Sequence, residues 1–175
     1  MRNFRLFTAL LVFNVCSFTI WGQKDKASEY NLKAAFIYNF TRYIEWKGGS
    51  DENEFIIGII GTSPINDPLS EIVKTETVDN KKITIKRFSK PADIGFCHIL
   101  FISQNAGVSL DDILAKTSGK GTLIISEQNG YAEQGTAINF VVINRKLKFE
   151  ANVKAINSAG LTASSQLLKL AIIIK

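Results

Sequence analysis

Short apolar runs alternate along the chain with polar, glycine-containing segments, and the length and period of each run predict a conformation. Residues 97–103 read Cys-His-Ile-Leu-Phe-Ile-Ser, preceded by Pro91 and Gly95 and closed by Gln104 and Asn105. A continuous apolar run of this length suits a strand buried on both faces, at the centre of a mainly parallel sheet. Residues 55–61 and 122–126 are further apolar strands, whereas 83–88 alternates apolar and polar side chains and is expected half-exposed at an edge. Ala34, Ile37, Phe40 and Ile44 recur at helical spacing within residues 30–46, with Ser28 placed to cap and Gly48-Gly49-Ser50 to stop that helix. Shorter helices are predicted over residues 66–75, with Leu69, Ile72 and Val73 on one face, and over 110–116, capped by Ser109.

After Glu127 the pattern changes. Residues 137–143 and 146–151 flank Asn144-Arg145, the signature of a tight hairpin, with Leu147, Phe149 and Ala151 facing inward. Asn152 can cap a final helical region, broken at Gly160 and resumed from Ser164 to Leu170, and an apolar tail over 171–174 packs on the body. The order strand, helix, strand, strand, helix, strand implies right-handed crossovers. The expected fold is an α/β sandwich: a central mixed, mostly parallel sheet of about six strands flanked by helices, with a C-terminal β-hairpin plus helix.

Residues 1–22 differ in kind. Arg2 and Arg5 precede an apolar core over 6–15, and the small Gly22 precedes Gln23, the layout of a signal peptide cleaved near Gly22. Asn14 and Ser17 interrupt the run and leave it short for a retained span. The expected organisation is therefore a signal peptide over 1–22 and one α/β domain over 23–175. Losing Arg2 and Arg5 takes the formal charge from +5 to +3, and no cationic stripe favours nucleic acid. Of the two cysteines, Cys97 alone would remain, without an intrachain mate.

Candidate chemistry is sparse. Cys97 adjoins His98, the single histidine, but neighbours on a strand point to opposite faces, so the two diverge rather than form a nucleophile and base. A metal site needs three or four converging ligands, and neither a second histidine nor a second mature cysteine is available; no metal and no cofactor are expected. Gly58 and Gly61 supply neither a dinucleotide fingerprint nor a phosphate loop, and read as turn glycines. The polar strand ends Thr62, Ser63, Ser103, Ser126 and Glu127 could line one crevice for a small ligand, as open α/β sheets do at their carboxyl edge. Arg42, Tyr43, Trp46, Tyr131 and Arg145 are residue types common at interface hot spots and are the candidates for a protein partner.

Six blocks, in order, span nearly all of the chain after residue 28. They are Glu29-Tyr30-x-Leu32-Lys33-Ala34-Ala35-Phe36-x-Tyr38-Asn39-Phe40 running to Ile44-Glu45-Trp46, and Phe55-x-Ile57-Gly58-Ile59-x-Gly61. Residues 97–103, Ile138-Asn139-Phe140, Phe149-Glu150-x-Asn152 and the stretch Ala159-Gly160-Leu161 to Ala171 complete the set. Together they resemble the YfiR-like family of exported regulators. The resemblance implies a periplasmic, dimer-forming α/β sandwich that is not an enzyme. The family's best understood role, which the resemblance makes the expectation here, is inhibition of an inner-membrane diguanylate cyclase by binding that enzyme's periplasmic sensor domain, with release of the inhibitor raising cyclic di-GMP and favouring biofilm formation. The family's regulators can carry disulfides with the cysteine matching Cys97 as one partner; its lack of a mate here argues against redox-controlled release. The alternative reading is a periplasmic small-ligand sensor using the strand-end crevice.

Overall fold

The strand Ile99–Ile102 (β5) lies inside an eight-stranded sheet, completely buried along its length, as its unbroken apolar run requires. The fold is that of a computed structural model describing residues 19–46 and 53–175. Parallel to β5 run Glu54–Ile60 (β2) on one side and Leu123–Ser126 (β6) on the other. Beyond β2 comes Lys81–Phe88 (β4), also parallel; beyond β6 comes Ile138–Ile143 (β7). The five strands in the order β4-β2-β5-β6-β7 form a doubly wound sheet whose chain direction of travel switches between β2 and β5.

Two further strands close the edges and account for the excess over the expected six. Thr77–Val78 (β3) pairs antiparallel with the start of β4, and Ile172–Ile174 (β10) pairs parallel with Lys146–Asn152 (β8), itself the antiparallel partner of β7. Neither is legible as a strand, since two or three residues carry no period. The expected edge strand β4 is half-exposed as predicted, with Ile83 buried and Lys86 and Arg87 in solvent. The apolar tail packs on the body by joining the sheet.

Helices Asn66–Thr75 (α2) and Leu110–Thr117 (α3) occupy their predicted places; Ser109 caps α3 by accepting from the Asp112 amide at 3.3 Å. Asn152 and Ser164 cap the last two helices, Val153–Ser158 (α4) and Ser165–Leu170 (α5), by accepting from the amides of Ala155 and Leu167. Asn144 and Arg145 both have positive φ, 52° and 59°, the backbone of a type I′ hairpin turn.

The first helix departs from expectation at both ends. It spans Thr19–Phe40 (α1), so Ser28 lies within it rather than capping it. At the other end the amides of Thr41, Arg42 and Tyr43 tighten onto the carbonyls three residues back, and the Thr41 hydroxyl donates to the Tyr38 carbonyl at 2.6 Å. Ile44–Trp46 then becomes a strand (β1), antiparallel to Leu161–Ala163 (β9). Ile44 is buried as the apolar pattern required, but a strand delivers it. Pairing with β9, 119 residues away in register at Ile44↔Ala163, overrode the helical period. The expected signal peptide over 1–22 and the stop signal at 48–50 lie outside the described residues, apart from residues 19–22, which are helical in α1.

The sheet separates two cores. The larger joins α1 residues Ala34, Ile37 and Phe40 to Ile57, Ile59, Phe101, Ile125, Phe140 and Phe149. Phe40 meets Phe149 edge-on, with centroids 5.1 Å apart, and each such buried ring contributes about 2–3 kcal/mol. The smaller joins Ile56, Ile60, Leu100 and Ile102 to Ile113 of α3 and to Cys97. Gly58 is a packing glycine rather than a turn: a Cβ there would lie 3.1 Å from Cys97 Sγ and 3.0 Å from Leu100. Gly61 does turn the chain, with φ +87° and room for no Cβ against the Ala106 backbone.

Candidate functional site

Carboxyl ends of parallel strands at a switch between β2 and β5 are where doubly wound sheets hold their ligands. Here α1 enters that crevice. Lys33, on the helix's inward face, extends to Glu127, which follows β6; the two side chains are 6% and 2% exposed and meet at 2.6 Å. One turn earlier, Glu29 grips the same ammonium at 2.6 Å. Tyr30 donates its hydroxyl to Glu127 at 3.3 Å, and the Lys33 ammonium sits 4.5 Å from the centre of the Tyr30 ring. Glu127 also accepts from the Gln104 amide at 3.1 Å, so helix, β5 end and β6 end are tied through one carboxylate. Burial would lower the Lys33 pKa, but hydrogen bonds to Glu127 and Glu29 outweigh it and hold the pKa above the ordinary lysine value. Burial, reinforced by the Glu127 charge, raises that of Tyr30.

The five strand-end residues are distributed as follows. Ser103 donates to the Thr62 carbonyl at 2.7 Å and accepts from the Asn105 amide; Ser63 accepts from the Ile65 amide. Thr62 is exposed on the rim. Ser126 turns away, fully buried, into a line of polar groups crossing the sheet: Thr136 at 2.9 Å, Asn139 Oδ1 at 2.7 Å, and from Asn139 Nδ2 on to Glu150 at 2.9 Å. Glu127, Ser63 and Ser103 thus share one end of the sheet, but their polar atoms are engaged within the chain. Lys33 and Tyr30 escaped the reading of the sequence, although a lysine on an apolar helical stripe, one turn after a glutamate, is the signal of a buried charge with waiting partners.

Cys97 and His98 diverge as expected. The thiol joins the smaller core, where burial pushes its pKa up to about 12, far from a nucleophilic thiolate. His98 goes to the other side, stacked on Phe55 at 4.4 Å and edge-on to Phe96 at 4.9 Å. Its Nδ1 accepts from the Ile56 amide at 3.0 Å, which requires a neutral ring there, and burial, aided by the Lys81 charge, lowers its pKa to about 4. Among the described residues no three His, Cys, Asp or Glu side chains cluster to hold a metal ion.

The partner candidates occupy three places. Arg42, Tyr43 and Trp46 follow α1 on the turn and β1, at the amino end of the sheet; exposed Arg42 lies over the Tyr38 ring at 5.3 Å, and Trp46 donates to the His98 carbonyl at 3.3 Å while packing edge-on to Phe55. Tyr131 packs against the smaller core beyond β6. Arg145 stands exposed at the hairpin tip. No helix among the described residues is long and apolar enough to cross a membrane.

No curated protein matches the chain. A family model described as YfiR/HmsC-like matches residues 30–172, from the tyrosine that touches Glu127 through the first residue of β10. That span takes in Tyr30, Lys33 and Glu127 of the strand-end cluster, the β1–β9 pair and the hairpin, and on it the chain belongs to the YfiR/HmsC-like family.

Proposed function

We propose that the protein is an exported regulatory binding protein, not an enzyme. On this reading the signal peptide over 1–22 is removed near Gly22, and the mature dimer restrains a membrane signalling protein, a diguanylate cyclase, by binding its periplasmic sensor domain. The observation that carries this is membership of the YfiR/HmsC-like family over residues 30–172. The geometry supports a binding rather than a chemical role: the two reactive-looking side chains diverge, and burial raises the thiol's pKa to about 12 while lowering the imidazole's to about 4. The surface around Arg42, Tyr43 and Trp46 is the proposed partner contact, since it combines an exposed guanidinium with two half-buried aromatic rings.

The test is capture from solubilised membranes with the tagged, exported protein, alongside cyclic di-GMP measurement in a deletion strain. Recovery of a diguanylate cyclase and a rise in cyclic di-GMP on deletion are expected. Arg42→Glu is expected to cut recovery at least tenfold without moving Tm, because Arg42 is exposed. An unchanged cyclic di-GMP level with no cyclase recovered would refute the reading. The alternative, a small-ligand sensor at the carboxyl crevice, is disfavoured by the entry of Lys33 and Tyr30 into that crevice.

A further inference from the structure

The β7–β8 hairpin outruns its sheet. β6 accompanies β7 only at Ile138 and Asn139, and β10 accompanies β8 only from Glu150 onward. The hairpin ladder continues through Phe140↔Phe149, Val141↔Lys148, Val142↔Leu147 and Ile143↔Lys146, so its outer part is a ribbon without strand neighbours among the described residues. A protruding ribbon of this kind ordinarily carries polar side chains at its tip, yet Val142 is 56% and Ile143 39% exposed. Across a shallow groove, Leu32 of α1 is 47% exposed. Interleaved with these are exposed Arg145, Lys146 and Lys148, and residues 141–149 contain no carboxylate. Glu29, on the groove's far rim, already spends its charge on Lys33.

From this we infer that the hairpin tip is a docking element for an anionic lipid surface. Exposed apolar side chains at the end of a ribbon, set among three cations with no carboxylate between them, match negative headgroups with hydrocarbon beneath. Each basic residue near such a surface contributes roughly a fivefold gain in partitioning, so the three together contribute on the order of 100-fold. Attraction of this kind weakens as salt shortens the Debye length. The inference stands apart from the cyclase reading, since it concerns a different surface from Arg42 and Trp46.

Flotation with phosphatidylglycerol-containing vesicles and with phosphatidylcholine vesicles tests it, using protein purified after export with its amino terminus defined by mass spectrometry. Wild type is expected to float with the anionic vesicles alone and to be released by salt. The triple variant Arg145→Glu, Lys146→Glu, Lys148→Glu is expected to lose about 100-fold in partitioning at unchanged Tm. Val142→Ser with Ile143→Ser should lose the fraction that resists salt. Equal flotation with both vesicle types, or a triple variant that floats like wild type, overturns the inference. So does a wild type that ignores all vesicles while the triple variant loses capture of a membrane protein, which would make the tip a protein contact.

Discussion

At the carboxyl ends of β2, β5 and β6 the molecule buries charge, Lys33 against Glu127; at the amino ends of β2 and β5 it buries a neutral imidazole, His98 against aromatic rings. Both places look like active sites in outline, with titratable groups at the end of a sheet. Their chemistry differs in the way each escapes the penalty of burial. The carboxyl end keeps its charges and satisfies them with each other, with Tyr30 and with the Gln104 amide. The amino end gives up the charge, and the uncharged Nδ1 accepts a backbone amide. Each arrangement uses its polar atoms to join elements far apart in sequence: α1 to β6 at one end, β2 to β5 at the other.

The largest expected effect breaks the charged end. Glu127→Ala leaves Lys33 buried with Glu29 as its remaining carboxylate and should cost about 3 kcal/mol in urea unfolding. Replacing the pair together, Lys33→Met with Glu127→Leu, should cost distinctly less, because no unpaired ion remains. If the double variant is as unstable as the single, the pair is not what makes this end sensitive.

The second effect separates the two ends by pH. His98, with its pKa lowered to about 4, binds its proton less readily folded than unfolded, so its contribution is complete above about pH 6.5 and is lost as pH falls toward 4. Between pH 7 and 4.5 that loss is about 2 kcal/mol, and a His98→Gln variant should lack this part of the slope. Lys33 and Tyr30 are shifted the other way: their raised pKa values give stability that is complete below about pH 10 and is lost as pH rises beyond it. Unfolding titrations of wild type and His98→Gln that run parallel across the acid range would show the comparison to be wrong.

The smallest effect sharpens the amino end. Trp46→Phe keeps a ring against Phe55 but removes the donor to the His98 carbonyl, which still accepts from the Leu123 amide at 2.8 Å. With no acceptor left orphaned, the cost should be about 1 kcal/mol. A loss several times larger would mean that Trp46 positions His98 rather than merely covering it.

Much of this architecture was legible because its determinants are local. The β7–β8 hairpin follows from Asn144-Arg145 between alternating arms, the caps at Ser109, Asn152 and Ser164 from single side chains, and the central place of β5 from an apolar run too short for a helix. The candidate site was legible only as a set of polar strand ends. Glu127, Ser63 and Ser103 do gather at one end, yet what fills the space between them comes from α1, some 94 residues from Glu127 at Lys33. Ser126, one residue from Glu127, belongs to a different polar line altogether, because successive strand residues face opposite sides of the sheet.

Sequence alone determined the family from its ordered motifs, and the α/β class, the mostly parallel core strands and the divergence of Cys97 from His98 from periodicity, turn residues and strand alternation, which act over a few residues at a time. The tertiary structure alone decided that residues 44–46 form a strand, that three apolar residues at the C-terminus close the sheet, and that α1 occupies the carboxyl crevice. Those outcomes depend on partners more than 90 residues away or on elements too short to have a period. Backbone groups and buried charges must find partners wherever the fold places them, and for these the partner is named only by the packed chain.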